Sequence, residues 1–123
     1  MDTPGNNVNN VNNVNNVNNV AEPVASFLAA VNAHDRQAFR DTFTQDSVVN
    51  DWGQVITGRD NIEKWSDTAF VGSQPHFTVE RTSTTDGTVT VIGDWRSTHA
   101  NGPSRFDFDI DGDRITTMTI SEG

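Results

Sequence analysis

Apolar residues recur at two spacings along this chain, every third or fourth position up to Pro75 and every second position beyond it. Val24, Phe27, Leu28 and Val31 stand at i, i+3, i+4 and i+7, and Pro23 suits the first turn of the helix they predict. The pattern stops at Asn32 to His34. Asp35 then predicts the cap of a second, short helix, with Phe39 and Phe43 on one side. Ser47 to Asp51 reads as a short strand, and Gly53 and Gly58 mark a loop. Asp60 with Glu63 three residues on has the form of a capping box, opening a third helix that carries Ile62, Trp65 and Ala69 and ends before Gly72 and Pro75.

Strands follow. His76 to Thr85 and Thr88 to His99 are rich in Thr, Val and Phe, and Asp86-Gly87 between them is a hairpin signal. Asn101-Gly102 predicts the next reversal, and Ser104 to Ile110 and Arg114 to Ser121 flank Asp111-Gly112-Asp113. Alternation places Phe77, Val79, Val89, Val91, Trp95, Phe106, Phe108, Met118 and Ile120 on one face and Thr, Asp and Arg on the other. Helices segregated ahead of strands predict an α+β domain over residues 21–123. Residues 1–20 are different, because Asn-Asn-Val recurs as a unit from Asn6 to Val20. A valine every third residue builds neither a helical stripe nor a strand face, so a disordered low-complexity tail is expected there.

Composition narrows the partners. A chain of 123 residues with 33% hydrophobic content supports one core. There is no cysteine, which removes disulfides, thiolate nucleophiles and thiolate metal sites. A net charge of -9 and eight scattered Lys and Arg residues disfavour nucleic acid and anionic membranes. No segment approaches the roughly 18 apolar residues of a membrane span, and a signal-peptide pattern is missing, so a cytoplasmic protein is expected. Asp107, Asp109, Asp111 and Gly112 match the opening of a calcium loop, yet Met118 stands where that loop needs a bidentate Glu. Phe108 and Ile110 between those aspartates fit a strand with one wet face. His34, His76 and His99 lack metal-ligand spacing, although His76 and His99 are candidates for a pocket. Neither a metal nor a cofactor is expected.

The order of helices, the phrase Val-Val-Asn-Asp-Trp-Gly (48–53) with Gly-Arg-Asp-Asn-Ile (58–62) after it, and the ending Phe-Asp-Ile-Asp-Gly-Asp-Arg-Ile resemble the SnoaL-like, nuclear-transport-factor-2-like superfamily. The resemblance covers residues 22 to 121. It implies a cystatin-like cone, in which three N-terminal helices pack on a curved antiparallel sheet around an apolar pocket. It also implies frequent homodimerisation, and activities from ketosteroid isomerisation and polyketide cyclisation to epoxide hydrolysis and plain ligand binding. Fold membership does not choose among these.

Asp51 falls where similar ketosteroid isomerases carry a general base, which makes it the candidate catalytic residue; a turn or helix-terminus hydrogen-bonding role is its other reading. Such isomerases also use a Tyr and a protonated Asp to hold the oxyanion. This chain has no Tyr, and Phe27 and Phe106 occupy about those positions. Arg105 and Asp107 suggest the arginine-assisted aspartate of epoxide hydrolases, but alternation puts both on the wet face. The pocket is expected to be lined by Phe27, Val31, Trp52, Trp65, Trp95, Phe106, Phe108 and Met118. Together these predict a binder of hydrophobic cyclic small molecules, acting through Asp51 as an acid-base isomerase, cyclase or lyase, or else a noncatalytic ligand-binding or dimerisation module.

Overall fold

The computed structural model describes residues 20–123, in the order α1 (Val24–Ala33), α2 (Arg36–Asp41), β1 (Phe43–Asp51), β2 (Gln54–Thr57), α3 (Arg59–Ala69), a 3-10 turn (Val71–Ser73), β3 (His76–Thr85), β4 (Thr88–Arg96), β5 (Asn101–Asp111) and β6 (Arg114–Glu122). The strands form one six-stranded sheet, ordered β2-β1-β6-β5-β4-β3. Neighbours are antiparallel except β1 and β6, which run parallel. The expected α+β cone is present, with three helices against the apolar face of a curved sheet. Among the described residues no helix is long and apolar enough to cross a membrane.

Alternation assigned the faces correctly. Val89 pairs with Phe108, Val91 with Phe106, Phe106 with Ile120 and Phe108 with Met118, and all are buried. The wet face carries Thr90 donating to Asp107, which also holds Arg105 at 3.0 Å. Helix α1 buries Val24, Phe27, Ala30 and Val31 and stops at His34, whose φ of 57° is left-handed. Asn32 then substitutes for a missing strand at the free edge of β3. Its Nδ2 donates to the Phe77 carbonyl at 3.0 Å and its Oδ1 accepts from the Phe77 N–H at 2.7 Å, so these edge groups are paired inside the molecule.

Five expectations change. Asp35 caps α2 through the Ala38 N–H at 3.0 Å, as expected, but Phe43 opens β1 rather than continuing the helix. Thr42 ends α2 by donating from Oγ1 to the Phe39 carbonyl, and Ile115 N–H bonds the Thr42 carbonyl at 2.7 Å, drawing the chain onto β6. The loop expected between Gly53 and Gly58 contains strand β2, whose short run buries only Ile56 and offers little periodicity to read. Helix α3 is capped by Gly58 without a side-chain bond; Asp60 and Glu63 instead hold Arg40 at 2.8 and 3.1 Å, and the Asp60 bond raises the Arg40 pKa. Asn101-Gly102 lies inside β5, and the reversal comes earlier, where Asn101 Oδ1 and Ser97 Oγ accept the loop N–H groups. Val20, the last residue of the repeat, is buried beside α1, so the packed domain includes it. The rest of the expected tail, residues 1–19, lies outside the described residues.

Gly93 sits across from a bulge in β3, where Glu80 is the extra residue between Val79 and Arg81. A Cβ there would stand 2.1 Å from the Thr78 carbonyl oxygen and 2.9 Å from the Phe77 ring. Gly93→Ala is therefore expected to lower unfolding free energy by about 1–3 kcal/mol, read by chemical denaturation. An unchanged midpoint would show that β3 gives way at no cost.

Candidate functional site

A cavity of about 560 Å³ opens at one end of the sheet. Strands β1, β4 and β6 end there, β5 begins there, and α3 lies across it. The buried rings Phe70, Trp95 and Phe106 with Ile120 form its floor, and half-buried Trp65 and Asp51 form a wall. Trp52, the segment from His99 to Pro103, and Glu122 surround the mouth. The volume falls within the range of about 300–1,000 Å³ usual for small-ligand sites.

Stacking holds the walls. Trp65 lies on Phe70 with centroids 4.9 Å apart, and Phe70 lies on Trp95 at 4.7 Å. The indole Nε1 of Trp65 donates to Asp51 Oδ2 at 3.1 Å, so the same side chain that packs the floor also orients the carboxylate. Trp95 Nε1 donates to Ser97 Oγ at 3.1 Å. Both indole donors of the inner wall are thus engaged. The other lining side chains that donate are Trp52, His99, Asn101 and Ser104.

Of the residues expected at the site, the structure brings together Asp51, Trp52, Trp65, Trp95 and Phe106. Trp52 is a rim residue rather than an inner wall, because its φ of 53° turns the chain toward β2 and leaves it 62% exposed. Phe27, Val31, Phe108 and Met118 are not lining residues at all. They are sealed in the core at 1% exposure or less, and Phe27 packs on Phe108 with centroids 5.1 Å apart. Alternation gives the face of a strand and not the position along it. Phe108 and Met118 share the face of Phe106 and Ile120 but lie two residues farther from the open end, beneath α1.

Sequence reasoning missed Phe70, Ile120, Glu122 and the 100–104 segment. Phe70 stands eight residues after Ile62, on the apolar stripe of the third helix, and Ile120 was on the expected sheet face, so both were legible. His99, one of the two histidines flagged for the pocket, stands at the mouth. His76 borders instead a second cavity of about 310 Å³ between α1 and β3. Among the described residues no cluster of three His, Asp or Glu side chains forms a metal site.

A SnoaL-like domain model matches residues 24–123. No curated protein matches the sequence. Among solved structures, a candidate polyketide cyclase from Sinorhizobium meliloti superposes with a TM-score of 0.78 at 20% identity, over 85% of this chain and 98% of that one. A Catenulispora acidiphila protein of ketosteroid isomerase-like fold, in complex with trimethylamine, has a TM-score of 0.65 at 21% identity, over 84% of this chain and 88% of that one. RV0760c from Mycobacterium tuberculosis, in complex with estradiol-17beta-hemisuccinate, has a TM-score of 0.67 at 20% identity, over 81% and 90%. At these identities the likeness is one of fold.

Core and wall separate by experiment. Phe27→Ala is expected to cost about 3–5 kcal/mol of stability, as a cavity in sealed aromatic packing does, while exposed Trp52→Ala stays within about 0.5 kcal/mol. Similar losses at both positions in thermal or urea unfolding would contradict this division.

Proposed function

Because the chain belongs to the SnoaL-like domain family, we propose that it binds a hydrophobic cyclic small molecule in the aromatic cavity and that Asp51 exchanges a proton with it. The observation that carries this is one geometry: a half-buried carboxylate, fixed by the Trp65 indole at 3.1 Å, in the wall of an open cavity floored by aromatic rings. Related folds that hold estradiol-17beta-hemisuccinate and trimethylamine support a ligand of this size or smaller. The Trp65 bond occupies Oδ2, and Oδ1 has no side-chain partner among the described residues, so one oxygen is free for a ligand.

The cavity bears on which reaction fits. Phe27 is sealed in the core and Phe106 is apolar, so neither supplies an oxyanion donor, and the Trp65 and Trp95 indoles are already bonded. Any charge developing on a carbonyl oxygen meets water or the rim donors Trp52, His99, Asn101 and Ser104. Proton transfer in isomerisation, cyclisation or elimination that builds little oxyanion charge is the chemistry this supports. An open cavity also favours ligand binding over a module whose interior is filled by its own side chains.

The test is a screen of hydrophobic cyclic ligands and enolisable ketones on wild type and Asp51→Asn. Turnover falling by about a hundredfold or more, with binding retained, is the expected outcome for a general base. Binding without turnover in wild type would make the pocket a receptor, and an unchanged Asp51→Asn variant would remove Asp51 from the site. Homodimerisation, implied by the family, belongs to the same proposal. Light scattering at micromolar concentration is expected to give about twice the 13.5 kDa chain mass, and a uniform monomer would contradict it.

A further inference from the structure

The charge of the cavity lining is one-sided. Asp51 stands in the wall and Glu122 at the mouth, and no Lys or Arg is among the lining residues. Neither carboxylate is ion-paired with a lysine or arginine among the described residues, although Asp94, Asp107 and Asp60 are each held by an arginine elsewhere on the surface. The rest of the lining is dominated by rings: Trp52, Trp65, Trp95, Phe70 and Phe106.

On the basis of the pocket proposed above, we infer that its ligand is an organic cation, a protonated or quaternary amine carried on an apolar ring. Three physical terms agree. A neutral hydrophobe filling the cavity would strip water from Asp51 and leave its charge uncompensated, whereas an ammonium group compensates that charge, through N–H donors where it is protonated and by charge pairing alone where it is quaternary. Aromatic faces attract cations through their quadrupoles, most strongly for Trp, and three tryptophans line this cavity. A net charge of -9 draws cations toward the molecule and repels carboxylate or phosphate ligands, which would meet two like charges at the site. Asp51 lies in the wall with the rings, while Glu122 at the mouth acts on the approach.

The experiment compares two probes of nearly the same shape, phenyltrimethylammonium and tert-butylbenzene, by quenching of tryptophan fluorescence with calorimetry as a check. The cation is expected to bind at least about tenfold more tightly, a difference worth about 1.4 kcal/mol. Asp51→Asn and Glu122→Gln are each expected to weaken the cation by about threefold to tenfold and to leave the neutral probe unchanged. Glu122 is exposed beside the C-terminus, so its variant keeps the test valid if Asp51→Asn folds poorly. Asp113→Asn, in the distant β5–β6 turn, is expected to change neither probe and so separates the cavity from the general acidity of the chain. Equal affinity for both probes, or a cation affinity indifferent to Asp51 and Glu122, would overturn the amine inference alone. Failure of both probes to bind would overturn the pocket with it.

Discussion

Strand β1 joins the sheet by lying parallel to β6, with Val49 opposite Met118 and Asp51 opposite Ile120, and the site depends on that pairing. Parallel strands cannot be joined by a tight turn, and here the partners are separated by most of the domain, so closing them carries an entropic cost that local contacts do not. Side chains and backbone clamp the join at its start. Ser47 Oγ donates to the Ile115 carbonyl at 2.7 Å, accepts from the Thr44 N–H at 2.8 Å, and is buried. Trp52 N–H bonds the Ile120 carbonyl at 3.2 Å where β1 ends. With β1 in place, α3 is carried across the sheet end and Trp65 arrives against Asp51.

Behind the cavity lies a sealed aromatic cluster. Phe27 packs on Phe39, Phe43, Phe70, Phe106 and Phe108 with centroids 5.1–6.5 Å apart. Rings from α2, β1, β5 and the end of α3 thereby meet around a single residue of α1. Phe70 and Phe106 belong to both zones, touching Phe27 on one side and the cavity on the other. The interior is filled at the α1 end and open at the other because Ala69, Ala100 and Gly102 stand at the opening with little side chain to fill it.

Much of this fold was legible because its signals are local. The α1 stripe, the Asp35 cap and the Asp86-Gly87 hairpin each follow from residues a few positions apart, and the sheet faces follow from alternation. What escaped depends on partners far away in sequence. Phe43 has a helical spacing from Phe39 but is claimed by β6; β2 is too short to show a period and exists because β1 is there to pair with it; Asp60 and Glu63 look like a capping box but meet Arg40 of α2. Around the cavity, Asp51, Trp52, Trp65, Trp95 and Phe106 were readable as lining residues, whereas the Trp65–Asp51 bond and depth were not. Phe108 and Phe106 are equivalent in pattern and separate only once α1 covers one and leaves the other open.

Trp65 couples these zones to the carboxylate. Its ring is stacked on Phe70, which is itself held between Phe27 and Trp95, and its N–H fixes Asp51. The position of Asp51 is therefore set by ring packing rather than by a neighbouring base, which leaves its charge available to whatever enters the cavity. Had an arginine held it, the carboxylate would be equally well placed and largely neutralised. An indole orients without cancelling the charge, so on the proposed reading a ligand would meet a carboxylate that is already positioned, and the ordering cost of binding would fall mainly on the ligand.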